Sequence, residues 1–162
     1  MVEVAVLVRA KPTARSVLPL VELVREVLRA SLQRMDPVLA KEGITKGQFW
    51  ALHTVSSLEA ASLSTVARNL GLTTPTVCAN IDGLEAAGLV RRARSERDRR
   101  SVELSLTPRG RKVEARVWDH IARLMTEAAG DVSDADLAAS QRVFEKITAR
   151  LTAPAGTRRR AA

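Results

Sequence analysis

From residue 16 to residue 40, Val17, Val21, Val24, Leu28, Met35 and Leu39 recur at helical spacing, while Arg25, Glu26, Arg29 and Arg34 fall on other faces. That pattern predicts one long amphipathic helix. In EGITKGQF, residues 42–49, Thr45 and Gln48 stand at capping-box spacing, with Ile44 and Phe49 at the staple positions on either side. A second helix is expected from about Lys46 to Ser56. After a polar break at residues 57–61, Ser62 can cap a short helix with Leu63, Val66, Ala67 and Leu70 on its apolar side and Gly71 at its end. Thr73 or Thr74 then caps another, with Pro75 in its first turn, Val77, Ile81 and Leu84 facing inward, and Gly88 as its stop.

Beyond Gly88 the period changes to two. Val102, Leu104 and Leu106 alternate with Ser101, Glu103 and Ser105, as in a strand with one buried face, and Gly88-Leu89-Val90 leads another short strand into Arg91. The two can pair as a hairpin. Thr107-Pro108 reads as the N-cap and first residue of a helix over 108–129, striped by Val113, Val117, Ile121, Leu124 and Ala128 and broken by Gly130. Ser133 with Asp136 repeats the capping spacing, Val132 and Leu137 stand at staple positions, and Phe144, Ile147 and Leu151 stripe a last helix. Two short helices joined around Gly71 and followed by a hairpin make a winged helix-turn-helix. The expected class is mainly α with a small β-hairpin wing.

Charge sharpens this reading. The net charge of the 162-residue chain is +8, yet residues 91–112 hold nine basic and three acidic residues and so carry +6 of it. Six arginines lie in RRARSERDRR, residues 91–100, at the tip of the expected hairpin. A block of like charge is often a solvated tail, but this one is flanked by ordered elements, as on a surface that faces a polyanion. The second helix of the motif carries no Lys or Arg between residues 73 and 88. Its polar contacts therefore fall to Thr73, Thr74, Thr76 and Asn80, with backbone N–H groups at the helix start open to a phosphate. Phosphate contacts are expected from Arg91, Arg92, Arg94, Arg97, Arg99 and Arg100, with help from Arg68 and Arg109.

Composition excludes other classes. With two Trp, two Phe and no Tyr, the core must be aliphatic, and stacking platforms for single strands have no material. The single cysteine, Cys78, rules out an intrachain disulfide framework and points to a reducing cytoplasm. Beside the inward Val77 it reads as a small, half-buried structural residue. Two histidines without partners at ligand spacing give no metal site, and no Gly-rich phosphate loop or nucleophile-base pair suggests an enzyme or a cofactor. No run approaches the roughly 18 to 20 apolar residues that span a bilayer. MVEVAVLVRAKPTAR, interrupted by Glu3, is unlike a secretory signal, and APAGTRRRAA at 153–162 reads as a basic tail.

The order of elements, together with GITKGQFWAL at 43–52, LSTVARNLGLTTPTV at 63–77, IDGLEAAGLVRR at 81–92 and DRRSVELSLTPRG at 98–110, resembles the MarR family of bacterial transcription regulators over about residues 16–151. The last stretch is the most specific, an Asp-x-Arg wing followed by Leu-Thr-Pro-x-Gly. The resemblance implies a homodimer joined through its first and last helices, binding a pseudo-palindromic operator in double-stranded DNA, often as a repressor released by a small ligand or by oxidation. Asp98 and Arg100 occupy the Asp-x-Arg positions, where the arginine enters the minor groove and the aspartate orients it. A narrow minor groove concentrates negative potential and favours an inserted guanidinium. Ala79 and Gly83 stand where the family often has basic residues. Ligands in the family often lie near the junction of the dimer helices and the DNA-binding lobe. This brings forward Trp50, His53, Trp118 and His120 as a pocket for a small aromatic or phenolic effector, although Trp50 fits the core as well.

The expected organisation is a weakly ordered arm over 1–15, a dimerisation helix over 16–44, a winged helix-turn-helix lobe over 45–107, connecting and dimerisation helices over 108–152, and the tail over 153–162. The terminal stripes offer more apolar surface than one small lobe can cover, which independently favours a dimer. The alternative is an architectural or RNA-binding winged-helix protein that uses the same basic hairpin without operator specificity.

Overall fold

The computed structural model describes residues 13–58, 60–94 and 102–153. The elements run α1 (Ala14–Arg34), α2 (Asp36–Glu42), α3 (Lys46–Ser57), α4 (Leu63–Leu70), α5 (Thr74–Ala86), β1 (Val90–Arg94), β2 (Val102–Leu106), α6 (Pro108–Ala129) and α7 (Asp134–Thr152). The arginine-rich tip at 95–101, most of the N-terminal arm and most of the basic tail lie outside the described residues.

The single N-terminal helix expected from the apolar stripe is two helices. Pro37 has no N–H to offer the carbonyl of Gln33, and its ring crowds that turn, which favours a break there. Met35, still right-handed at φ −78° and ψ −23°, makes the joint, and α2 restarts with Pro37 in its first turn. From the joint onward the stripe faces the core, with Met35 and Leu39 both buried, whereas Val21 and Leu28 before it are exposed.

Local signals set the next three helices. Thr45 caps α3 in a reciprocal box, its hydroxyl accepting from Gln48 N–H at 3.2 Å while Gln48 Oε1 accepts from Thr45 N–H at 2.8 Å. Ser62 and Thr65 form a second box at the start of α4. Gly71 ends α4 at φ +66°, a left-handed angle that costs glycine little, and Thr73 caps α5 two residues later. The turn between these helices is therefore three residues long.

The chain divides into two compact units, the first ending at Leu124 and the second starting at Met125. In the first, α3 packs against α4, α5 and β2, and α5 against β1. Phe49, Leu52, Val66, Val77, Ile81, Leu84, Leu89, Val113 and Val117 fill the core between them. β1 and β2 pair antiparallel with Val90 opposite Leu106 and Arg94 opposite Val102. The other edge of β2 is also used, since Leu104 N–H donates to Ala61 O at 2.7 Å in a one-residue bridge. The segment read as a polar break thus contributes a third, minimal strand. In the second unit, α7 is capped by Ser133, whose hydroxyl accepts from Asp136 N–H at 3.2 Å. None of the residues of α7 is buried. No helix among the described residues is long and apolar enough to cross a membrane.

Candidate nucleic-acid interface

α5 stands at the centre of the candidate interface, and its sides are already spoken for. Its inward face is Val77, Ile81 and Leu84. On one flank it crosses the start of α3 so closely that a β-carbon on Gly83 would overlap the Gln48 side-chain amide. A β-carbon on Gly47 would sit 3.1 Å from Asn80 Oδ1. Asn80, one of the polar residues expected to contact DNA, is half-buried where α5 meets α3. Gly83 is small because Gln48, the capping residue of α3, lies over it.

The other flank is covered from β1. Arg92 donates to Asp82 Oδ1 at 2.6 Å and to Glu85 Oε2 at 2.8 Å, and its Nη2 lies 3.9 Å from Cys78 Sγ. The hydrogen bond to Asp82 holds the guanidinium in its charged form more firmly than usual, against the opposing pull of burial. Arg92 is therefore tied to two carboxylates of α5. Cys78 is half-buried beside this pair, as its neighbour Val77 suggested.

Thr73 and Thr76 link hydroxyls at 2.8 Å in the cap of α5, both exposed, as is Thr74. Arg91 and Arg94 are exposed on β1, Arg91 donating to Ser105 Oγ across the hairpin at 2.9 Å. Arg97, Asp98, Arg99 and Arg100 lie outside the described residues. Two other cations of the basic segment have structural partners: Arg109 donates to Ala87 O at 3.0 Å and Arg111 to Leu106 O at 2.8 Å.

The base of the hairpin is locked to α6 by Thr107. Its hydroxyl donates to Gly88 O at 2.8 Å and accepts from Gly110 N–H at 3.0 Å, while its N–H donates to Leu89 O at 3.0 Å. One residue thus ties the end of α5, the start of β1 and the first turn of α6 together. This is the physical content of the Leu-Thr-Pro-x-Gly motif.

Away from α5, the structure brings Trp50, His53 and Trp118 together. His53 stacks on Trp118 with centroids 4.5 Å apart and rings 9° from parallel, and Trp50 meets His53 edge-on at 6.1 Å. Glu114, which carried no signal in the sequence, fixes the imidazole through an Oε1 contact to Nδ1 at 2.8 Å. Trp118 remains 42% exposed, whereas Trp50 packs against the core. His120 is elsewhere: its Nε2 donates to Arg34 O at 3.3 Å, and it lines an open groove of about 500 Å³ with Lys41, Glu42, Arg116 and Arg123.

Residues 42–101 match the model of the MarR family. Comparison with curated protein sequences returns no match. Among solved structures, the transcriptional regulator BldR from Sulfolobus solfataricus is 28% identical with a TM-score of 0.72, over 86% of this chain and 99% of that one. The transcriptional repressor CouR, solved bound to a 23-mer DNA duplex, is 29% identical with a TM-score of 0.65, over 78% of this chain and 89% of that one. A MarR family protein from Bacillus stearothermophilus shares the fold at 24% identity, with a TM-score of 0.75 over 88% of this chain and all of that one. The α4–turn–α5 unit and strand β1 lie within the matched residues 42–101, and that segment is of the MarR family of DNA-binding transcription regulators.

Proposed function

We propose that the chain is a homodimeric repressor that binds a pseudo-palindromic operator and is released by a small aromatic or phenolic effector. The observation that carries the dimer is uncovered apolar surface. On α1, Leu18, Val21, Leu23, Val27 and Leu28 are each at least half exposed, and α7 leaves Leu137, Phe144 and Leu151 uncovered. Covering such stripes with a second copy removes them from water and places two recognition helices under one symmetry axis. Half-sites about one helical turn apart then follow. CouR, a repressor by its name, was solved on a 23-mer, a length that accommodates two half-sites.

On each half-site, Thr73, Thr74 and Thr76 stand at the entry to the major groove, and Arg91 and Arg94 face the flanking phosphates. From the tip beyond the described residues, Arg97 and Arg99 add phosphate contacts and Arg100, oriented by Asp98, enters the minor groove. The half-exposed face of Trp118, held flat by His53, supports a docking surface for an aromatic effector.

The test is a titration of the chain on duplex from its own upstream region at several salt concentrations, beside sedimentation at micromolar concentration. Arg100→Ala is expected to weaken binding strongly and to flatten the salt dependence by about 0.9 per half-site. Asp98→Ala should also weaken it, although a negative charge is removed. Wild-type affinity in Arg100→Ala would overturn the wing mechanism, and a stable monomer would overturn the palindromic reading. For the effector, a panel of aromatic acids should raise the melting temperature and loosen the complex; absence of both effects would leave a constitutive regulator.

A further inference from the structure

The outward strip of the recognition helix α5 has an unusual chemistry. With Val77, Ile81 and Leu84 inward, helical spacing turns Pro75, Thr76, Ala79 and Ala86 outward, and all four are exposed. Of the other polar side chains between residues 76 and 86, the two carboxylates, Asp82 and Glu85, are paired with Arg92, and Asn80 is set back toward α3, half-buried against Gly47. The Thr76 hydroxyl is turned to Thr73 Oγ1 at 2.8 Å, within the cap. Beyond that pair, Pro75, Ala79 and Ala86 present methyl and methylene carbon, bordered by Gln48 over Gly83 on one side and by Arg92 with its exposed partner Asp82 on the other.

A duplex offers one group of matching chemistry in its major groove, the 5-methyl of a pyrimidine, which side chains read by apolar contact and not by hydrogen bonds. We propose that α5 reads thymine methyl groups through Thr76 and Ala79, and that this contact, not a donor-acceptor pair, sets the sequence preference of the chain. The inference rests on the DNA-binding reading above. It also gives the absence of cations from the helix a consequence: affinity comes from the hairpin and discrimination from small apolar side chains. Each methyl withdrawn from water at such a contact is worth about fourfold in affinity.

The test starts with the full-length chain selecting duplexes from a randomised pool. The selected duplex is then prepared twice, once with thymine and once with uracil throughout, which removes only the 5-methyl groups. The expected result is thymine enrichment at the central positions of each half-site and at least a fourfold loss of affinity with uracil. Ala79→Ser and Thr76→Ser, the latter keeping the capping hydroxyl, should weaken the thymine duplex by about fourfold and leave the uracil duplex unchanged. Equal affinity for the two duplexes would overturn the inference while leaving DNA binding intact. Failure to enrich any duplex would overturn both.

Discussion

Gly110, in the first turn of α6, lies against the backbone of Leu89 at the entry to the wing: a β-carbon there would overlap the Leu89 carbonyl oxygen and come within 2.9 Å of its carbon. Backbone cannot move aside as a side-chain tip can. Gly110→Ala is therefore expected to destabilise the chain by about 3 kcal/mol, the upper part of the range for overpacking in a filled core. Urea unfolding followed by circular dichroism measures it, and a midpoint equal to wild type would show that α6 can shift without loss.

Thr107 acts on the same junction by hydrogen bonding. Thr107→Val keeps the shape but removes the acceptor for Gly110 N–H and the donor to Gly88 O. A loss of about 1 to 2 kcal/mol is expected, as for other lost N-caps, whereas Thr107→Ser should stay close to wild type. Equal losses in the two variants would assign the effect to the methyl group.

Arg92 separates two roles that a count of arginines merges. Its ion pairs are only partly shielded from water, so Arg92→Ala should cost no more than about 1 kcal/mol of stability. It should nevertheless weaken DNA binding, because Asp82 and Glu85 then face the phosphates without a counter-charge. The salt slope should stay at its wild-type value, in contrast to Arg94→Ala, for which a fall of about 0.9 per half-site is expected. A fall of that size in Arg92→Ala would make Arg92 a phosphate ligand instead.

Arg116 holds the carboxyl of Glu42 below the usual carboxylate range, chiefly by hydrogen bonding at 2.7 and 2.6 Å, and this outweighs the upward push of burial. A group with a depressed folded pKa adds stability above its unfolded value, about 4.3, and that stability is lost as pH falls through the folded value. Glu42→Gln should accordingly flatten the decline in stability on the acid side of about pH 4.3. Stability measured by urea unfolding from pH 7 to pH 3 provides the comparison, and parallel curves for the two proteins would remove the pair from the acid response.

The elements that could be read from the sequence are those whose cause lies within four residues. Thr45 with Gln48, Thr73 with Thr76, and Ser133 with Asp136 each satisfy backbone groups of their own first turn, so spacing alone reveals them. The kink at Met35 escaped because apolar residues keep helical spacing across it in the sequence, and Pro37 was the only mark. A single bridged residue such as Ala61 has no period to detect. At the candidate interface, composition placed the arginines on the hairpin but could not assign their partners, so Arg92, bound to α5, read the same as Arg94. The approach of Gln48 to Gly83 is set by packing between helices 35 positions apart in number, which no local pattern encodes.

That approach also limits the routes open to mutation. Gln48 starts α3 and, with the same side chain, occupies the space that any larger residue at position 83 would need. A change of Gly83 to arginine, which would add a cation to the recognition helix, would displace the amide tip of Gln48 that caps a neighbouring helix. The two positions are thus coupled: a side chain at 83 and the cap made by Gln48 compete for the same space, so the cost of a cation at 83 depends on the residue at 48.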